Sequence, residues 1–411
     1  MASASFLFCS CAAKEAKIAT IWTDVPSLVS YAELFNASHD DVKVVVVYKK
    51  SVASAMPPAK DEEGPDLVLG SWLKNSGTRR YFSTLDYVLS EQKISRSSFY
   101  KQLIDYGEIN EKQYLLPVSF NLPAIIYSKK NEDLVSSVST HVINLSQLKT
   151  LAAGFNVQNA DGTYAAMGYA PSWDEDFLYE LTKLYGADYH EKGNNFAWDS
   201  KSLQLAISDV KEWTLARNTD TTSEQNFEFK YLYMPKYRQV TTGRCLFTYL
   251  PSDDFFKLSE TQSTALTFRW LEQDNKICVE DDIVTLGLYK KAKNAKTAEK
   301  FIGWFFNENT QRELIMRMEN IKLDTVNFGI ANGFSSLKGV NEKYFPMHYR
   351  QLLGNLPSEE YLSMPKILPY RWVNIKERVL LPYLKESSDT SATTSVASLE
   401  ERITDWTKQF Y

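Results

Sequence analysis

The chain lacks most of the residue patterns by which enzymes are recognised from sequence. Its 411 residues include four histidines, His39, His141, His190 and His348, and none has the spacing of a metal-ligand pair. A nucleophile elbow, a phosphate-binding loop and a dinucleotide glycine fingerprint are also missing. The sequence therefore favours a binding protein over an enzyme, and it predicts no metal and no cofactor.

Strong charge of one sign and long hydrophobic runs are lacking as well. The formal net charge is -5 and no basic patch is present, which argues against nucleic acid as a partner. No run of about 18 apolar residues exists, so no segment is expected to span a membrane. A chain of 411 residues is too long for one compact core, so two domains are expected.

Cysteine is scarce, and only Cys245 and Cys278 lie in the body of the chain. They could form one disulfide or remain two buried thiols, and the sequence leaves both alternatives open.

At the N-terminus, a short apolar run ends at Cys9 and is followed by Ser10, Cys11 and Ala12. This resembles the end of a bacterial lipoprotein signal, in which a small residue precedes the lipidated cysteine. The resemblance implies that residues 1–16 are a signal remnant and tether, with the lipid on Cys11. The alternative is a disordered tail, because no Lys or Arg precedes the run and the run is short for a signal peptide.

The first part of the chain alternates predicted strands with a helix. Lys17–Trp22, Val42–Tyr48 and Asp66–Gly70 are predicted strands, and the second is apolar enough to be covered on both faces. Between the first two, Asp24 is expected to cap a helix whose apolar face runs from Leu28 to Phe35. This order and spacing predict an α/β unit with a parallel sheet.

A large aromatic residue lies at the end of each of these three strands. Trp22, with Asp24, follows the first strand, Tyr48 ends the second and Trp72 follows the third. Ligands of open α/β sheets bind beyond the carboxyl ends of the strands, so these residues are candidates for a ligand site. Each one alone could instead pack under a loop.

Further along, a strand is predicted to leave one sheet and begin another. The extended runs Leu115–Val118 and Ala124–Ser128 are separated by a segment that contains Pro123, which removes a backbone donor. A crossing between two lobes fits this break, with Phe120 and Asn121 in the gap. A hairpin or an ordinary loop is the alternative.

Aromatic residues with polar neighbours recur at other predicted strand ends and helix starts. The apolar C–H face of a sugar packs on an aromatic ring, and its hydroxyl groups need polar partners around the edge. The candidate ligand-binding residues are Trp22, Asp24, Tyr48, Trp72, Phe120, Asn121, Trp173, Tyr249, Asp253, Phe255, Arg371 and Trp372. About half of them are expected to belong to the core instead.

Five stretches, in this order, resemble the extracellular solute-binding proteins of ABC importers (family 1), in the cluster that includes the maltose-binding protein. They are IATIWTDVPSLVSYAELFN, GPDLVLGSW, YLLPVSFNLPAIIYSKK, KKAKNAKTAEKFIGWFFNENTQREL and PYRWVNIKERVLLPYL. The resemblance implies the type II periplasmic-binding-protein fold, an α/β fold of two lobes with the ligand cleft between them. Each lobe would be a mostly parallel sheet flanked by helices, with 17–119 plus 277–325 in lobe 1 and 120–276 plus 326–411 in lobe 2.

The resemblance also implies a function: a monomer that captures a carbohydrate in its cleft and delivers it to an ABC permease by closure of the lobes. It would lie outside the cytoplasm, tethered to a membrane through Cys11. Trp22, Asp24, Trp72 and Trp372 match ligand positions of the family, whereas Asn121 stands where a Glu is common and Asp253 replaces a stacking ring. A sugar other than maltodextrin is therefore as compatible with these positions.

Other functions remain open at this point. The same fold could serve a surface protein that acts as an adhesin or sensor partner, or a binder of a solute other than sugar. The adjacent Asp253 and Asp254 could serve a glycoside-active enzyme, which needs two carboxylates at a defined separation.

Overall fold

A computed structural model describes residues 16–137, 141–193, 195–321, 327–392 and 395–410. Cys11 and the rest of the expected tether up to residue 15 lie outside the described residues. Within the described ranges, no helix is both long enough and apolar enough to cross a membrane.

Ten strands of the described residues build two main sheets. In chain order they are β1 (Lys17–Thr23), β2 (Val42–Tyr48), β3 (Leu67–Gly70), β4 (Leu116–Phe120), β5 (Pro123–Ser128), β6 (Val142–Asn144), β7 (Phe247–Pro251), β8 (Leu266–Glu272), β9 (Val284–Leu288) and β10 (Phe334–Ser335). Short ladders pair Glu108–Ile109 with Lys112–Gln113, Val157–Gln158 with Tyr164–Ala166, His190–Lys192 with Asn195–Ala197, and Ile277–Cys278 with Leu362–Ser363.

Helices flank both sheets. The main ones are α1 (Leu28–Ser38), α2 (Leu145–Phe155), α3 (Glu175–Leu184), α4 (Ser200–Arg217), α5 (Thr221–Tyr231), α6 (Ala295–Phe305), α7 (Glu308–Asn320), α8 (Trp372–Ile375), α9 (Leu381–Ser388) and α10 (Leu399–Phe410). A π-helical segment, Lys376–Leu380, joins α8 to α9. Shorter helices are Asp86–Glu91, Lys101–Tyr106, Glu132–Val135, Lys236–Thr241, Ser252–Phe256, Glu260–Ser263, Lys338–Lys343 and Phe345–His348.

The first sheet has the strand order β10–β4–β9–β3–β1–β2. β1 is parallel to β2 and β3, whereas β9 is antiparallel to β3 and β4, and β10 is antiparallel to β4. On α1, the predicted apolar face is confirmed, because Leu28, Tyr31, Ala32 and Phe35 are buried. The ring of Phe35 meets that of Phe301 on α6, with 5.3 Å between their centroids. This ring contact packs α1 against α6, and both helices also contact strand β2.

The second sheet has the strand order β7–β5–β8–β6. β5 is antiparallel to both of its neighbours, and only β6 and β8 run parallel. The α/β fold is therefore as predicted, but the expectation of a mostly parallel sheet in each lobe is wrong, because both sheets are mixed. Strand direction cannot be read from an apolar run, since a buried strand of either direction is apolar on both faces.

The predicted crossing between the sheets is confirmed. β4 ends at Phe120 in the first sheet and β5 begins at Pro123 in the second, so only Asn121 and Leu122 lie between them. A second crossing segment follows the ladder strand Ile277–Cys278 and leads into β9.

A main-chain hydrogen bond joins the two crossing segments, because the N–H of Glu280 donates to the carbonyl of Asn121 at 3.0 Å. The next bond along the segment runs from the N–H of Val279 to the carbonyl of Ser363, at 2.9 Å. Three stretches of chain are thus held side by side between the sheets.

Two expectations about position need correction. β10 pairs with β4 in the first sheet, although 326–411 was expected in lobe 2; a strand of two residues leaves no periodic pattern in the sequence. Phe120 is not exposed in the gap. It is 3% exposed because β10 covers it, and its ring lies 5.4 Å from that of Tyr100 and 5.6 Å from that of Phe334.

Cys245 and Cys278 are both free and buried, which decides between the two alternatives that the sequence left open. Burial raises the pKa of the Cys245 thiol to about 12, so this thiol stays protonated and unreactive at neutral pH.

We expect Phe120→Ala to lower the free energy of unfolding by about 3–5 kcal/mol, because removing a buried ring leaves a cavity. The matched control is Tyr48→Ala. Because Tyr48 is 59% exposed, this substitution should lower the free energy of unfolding by less than about 1 kcal/mol. Denaturant unfolding measures both values. Equal, small losses in the two variants would contradict the buried position of Phe120.

Candidate ligand-binding site

Two adjoining cavities, which we call the cleft, open beside the crossing segments. Both are lined by Trp72, Asn121 and Asp282, and their volumes are about 310 and 490 Å3. The smaller is also lined by Asp176, Tyr179, Tyr249, Pro251, Asp253, Asp254, Glu280, Asp281, Trp372, Val373, Lys376, Glu377 and Leu381. The larger is completed by Asp24, Val25, Pro26, Lys50, Ser119, Ser71, Lys257, Val284, Asn327, Ala331 and Asn332.

Six of the twelve candidate residues meet in this cleft. Trp72 follows β3 of the first sheet, and Tyr249 on β7 and Trp372 on α8 come from the side of the second sheet. The other three are polar: Asp24, Asn121 and Asp253.

The other six candidates do not line the cleft. Trp22 is 1% exposed and is covered by the segment around Val52, with the ammonium of Lys49 4.0 Å from its ring centroid. Phe255 is buried, with its ring centroid 5.0 Å from that of Phe256. An aromatic residue at a strand end becomes core when another segment packs over it, and the sequence does not show which segment will.

The remaining four candidate residues lie in different surroundings. Phe120 is core, as described above, and Tyr48 is exposed outside the cleft. Trp173 lines a separate cavity of about 330 Å3. Arg371 lies directly before α8 and its guanidinium is 5.9 Å from the ring centroid of Tyr370.

Asn121 is the polar node of the crossing. Its side-chain amide donates to the carbonyl of Asn332 at 2.9 Å, and its side-chain oxygen accepts from the hydroxyl of Ser252 at 2.7 Å. Asn332 in turn donates to Asp253 at 3.0 Å, and Lys257 pairs with the same carboxylate at 3.1 Å. The floor of the cleft is therefore a hydrogen-bonded network fixed to the first crossing segment.

The backbone is strained at Trp72 and at the residue before Trp372. Trp72 has φ 67°, and Arg371, which precedes Trp372, has φ 69°. A left-handed conformation at a bulky residue costs of order 1–3 kcal/mol and is concentrated at functional sites. The strain at Trp72 is held by its neighbours: the hydroxyl of Ser71 donates to the carbonyl of Asp282 at 2.7 Å.

Asp24 does not cap α1 as expected; the capping position is Ser27, which makes no side-chain bond to the helix. The carboxylate of Asp24 instead accepts the N–H of Val52 at 3.2 Å. Gly70, at the end of β3, makes room for it, because a Cβ atom there would overlap an oxygen of Asp24. Burial raises the pKa of Asp24 to about 6, although the N–H groups of Val52 and Ser71 oppose the rise.

The sequence reasoning missed three consecutive acidic residues, Glu280, Asp281 and Asp282, which all line the cleft. They precede β9, and because β9 is antiparallel to β3, the start of β9 lies beside the end of β3. The sequence does show an acidic run directly before the apolar segment that forms β9. This run indicates a ligand site only when the direction of β9 is known.

Asp281 accepts hydrogen bonds from two aromatic side chains. The hydroxyl of Tyr179 donates to its Oδ2 atom, and the indole N–H of Trp372 donates to the same oxygen at 3.2 Å. Lys183 lies 3.4 Å from Oδ1 and pairs with Glu180 at 2.9 Å.

Glu280 is held in a similar way, since the hydroxyl of Tyr249 donates to its Oε1 atom at 2.6 Å.

Acidic residues outnumber basic ones in the cleft, and their proximity perturbs their protonation. Burial, with repulsion from Glu280, Asp253 and Asp281, raises the pKa of Asp282 to about 7. Burial alone would lower the pKa of Lys183, but the nearby carboxylates outweigh this effect and raise it well above its ordinary value. Among the described residues, no group of three or more His, Cys, Asp or Glu side chains is arranged to hold a metal ion.

Comparison with known families identifies the class of protein. The sequence model of the family described as bacterial extracellular solute-binding protein matches residues 30–321, well over half of the chain. The chain belongs to this family, which confirms the resemblance to solute-binding proteins and implies a location outside the cytoplasm. No curated protein sequence matches the chain.

Solved structures similar to this chain share its fold. A sugar transporter from Rhizobium etli, in an open conformation, has a TM-score of 0.65 at 15% identity and covers 96% of this chain and 100% of its own. An ABC substrate-binding protein from Listeria monocytogenes in complex with cycloalternan has a TM-score of 0.62 at 13% identity, with 96% and 98% covered. A maltose-binding periplasmic protein of the same organism, in complex with maltose, has a TM-score of 0.61 at 14% identity, with 96% and 99% covered.

We expect Asp24→Asn to raise the stability of the protein at pH 8 by up to about 3 kcal/mol, since each of the two pKa units by which Asp24 is raised corresponds to about 1.4 kcal/mol. Because the folded protein raises the pKa of Asp24 from 3.8 to about 6, the folded state loses stability as the pH rises from about 4 to 6. The gain should therefore vanish near pH 4.

Thermal unfolding at pH 4 and pH 8 measures the effect, and the exposed Asp61→Asn variant controls for the loss of a carboxylate. A loss of stability in Asp24→Asn at pH 8 would show that the charged form is favoured by the folded protein.

Proposed function

We propose that this protein is the substrate-binding component of an ABC importer and that it captures a carbohydrate in the cleft. The observation that carries the proposal is the meeting of Trp72 with Tyr249 and Trp372 around a cavity whose rim is rich in carboxylates. Aromatic rings suit the C–H face of a sugar, and carboxylates accept hydrogen bonds from its hydroxyl groups.

Similar structures support the choice of ligand class. Those named above include a sugar transporter and complexes with cycloalternan and maltose, and another is a protein with mannotriose bound. Their identity to this chain is 15% or less, so the particular sugar is not transferred. The acidic run Glu280, Asp281 and Asp282 favours a ligand with many donor groups and disfavours an anionic one.

Closure of the lobes about the crossing segments would deliver the ligand. The lobes are 17–119 with 277–325, joined by β10, and the remainder of 120–411. A ligand shifts such an equilibrium only through its differential affinity for the two states, and about 5.5 kcal/mol takes a population from 1:99 to 99:1. Trp72 from one side and Tyr249 and Trp372 from the other line the same cavity, so a bound ligand would contact both lobes and favour the closed state.

The proposal includes the surroundings of the protein. It would act as a monomer outside the cytoplasm, hold to the membrane through a lipid on Cys11 and dock on a membrane permease. Cys11→Ser expressed in the native host should then move the protein from the membrane fraction to the soluble one, as measured by immunoblot. A protein that stays on the membrane after this change would contradict the lipid tether.

We expect Trp72→Ala to weaken carbohydrate binding by at least about 2 kcal/mol, roughly a thirtyfold rise in Kd. Trp372→Phe should weaken binding less, since Trp372 is 2% exposed and offers little surface to the cavity. The sugar is chosen by a thermal-shift panel, because saturation at 100 times Kd stabilises a protein by about 2.7 kcal/mol.

The control is Trp173→Ala, which removes a tryptophan outside the cleft and should leave the calorimetric Kd unchanged. A panel in which no sugar raises the melting temperature would contradict the carbohydrate proposal. Unchanged affinity in Trp72→Ala would contradict the assignment of the site.

A further inference from the structure

Asp281 occupies a special place among the acidic residues of the cleft. It is 6% exposed, so its carboxylate lies in the wall of the cleft and offers little surface to a ligand. Its Oδ2 atom accepts from Tyr179 and from the indole N–H of Trp372, and its Oδ1 atom lies 3.4 Å from the ammonium of Lys183. A carboxylate has about four acceptor positions, and three of them are directed at protein groups.

The two donors are themselves walls of the smaller cavity. Tyr179 comes from α3 and Trp372 from α8, and their ring centroids lie 6.1 Å apart. A single carboxylate therefore connects two rings that belong to separate helices. Because each ring has only one hydrogen-bonding group, the bond to Asp281 fixes its direction within the surrounding packing.

The position of Asp281 is in turn fixed from both sides. The preceding residue, Glu280, is bonded through its N–H to Asn121 in the other crossing segment. The ammonium of Lys183 also donates to the carbonyl of Val279 at 3.2 Å, so it binds the backbone of the crossing segment as well as the carboxylate. The positions of the Tyr179 and Trp372 rings therefore depend on the crossing segments as well as on the helices that carry them.

Charge balance shows why a carboxylate can be kept there. A buried ion needs a partner of opposite charge to offset its loss of hydration, and Lys183 supplies this partner while it also pairs with Glu180 at 2.9 Å. Replacement of Asp281 by a neutral residue would still leave Lys183 paired with Glu180. A neutral residue at 281 would therefore not leave Lys183 without an anionic partner.

We propose that Asp281 is a positioning residue of the ligand site, whose carboxylate aligns Tyr179 and Trp372 for the bound solute through bonds anchored to the crossing segments. This inference rests on the proposed carbohydrate function and adds a residue that acts through the rings without contacting the ligand. Removal of the acceptor disturbs the rings, whereas a neutral acceptor of the same shape preserves them.

The test compares Asp281→Leu, which removes the acceptor, with Asp281→Asn, which keeps one oxygen acceptor. The matched control is Asp209→Asn, which removes the charge of another carboxylate paired with a lysine, Lys149. Each protein is labelled with 5-fluorotryptophan, and the fluorine signal of Trp372 is assigned by its loss in Trp372→Phe. Affinity is measured by calorimetry with the panel sugar that gives the largest thermal shift.

We expect Asp281→Leu to shift or broaden the Trp372 signal of the free protein and to raise Kd at least tenfold. Asp281→Asn should keep the signal and stay within about threefold of the wild-type Kd, and Asp209→Asn should change neither. Tyr179→Phe, which keeps the ring and removes its donor, should raise Kd at least threefold.

An unmoved Trp372 signal in Asp281→Leu, or a Kd within twofold of wild type, overturns the positioning role even when Trp72→Ala abolishes binding. Should Asp281→Leu fail to fold, an unchanged Kd in Tyr179→Phe overturns it instead. A panel in which no sugar binds the wild type defeats the carbohydrate proposal, and the fluorine signal of the free protein then decides on the alignment of the rings alone.

Discussion

The hydrogen bond between the N–H of Glu280 and the carbonyl of Asn121 joins two crossing segments: the one that leads from β4 to β5 and the one that leads from the ladder strand Ile277–Cys278 to β9. Hydrogen bonds run from these two crossing segments into both sides of the cleft. Asn121 carries the network to Asn332, and Asp281 carries it to the aromatic wall. A solute bound in the cleft would therefore contact side chains that are held in place by the crossing segments.

The sequence predicted the first strands and the parallel direction of β1, β2 and β3, but not the direction of β9. Apolar runs placed β1 to β4 within two residues, and Pro123 indicated the crossing, because a proline cannot donate to a ladder and suits the first residue of a strand, which is where it stands in β5. The antiparallel direction of β9 left no mark in the sequence. Glu280, Asp281 and Asp282 were missed for this reason, since only that direction brings them beside Trp72.

The candidate site was predicted in part for a related reason. Trp72 and Tyr249 were selected as aromatic residues at strand ends and Trp372 as one at a helix start, and the three do meet in the cleft. The same rule selected Trp22 and Phe120, which are core because the segment around Val52 and the two-residue strand β10 cover them. Such coverage is a long-range contact, and no local pattern of apolar residues encodes it.

At Trp72 the left-handed backbone favours a small residue, whereas ligand binding favours the large indole. Glycine or asparagine would adopt φ 67° with little strain, so selection for a sturdier fold would drive the residue toward a small side chain. Selection for solute capture would retain the indole. If this position were randomised and the cells were grown in competition, the fraction that keep tryptophan would measure the balance between the two effects. A high fraction would mean that uptake of the solute limits growth more than the stability of the protein does.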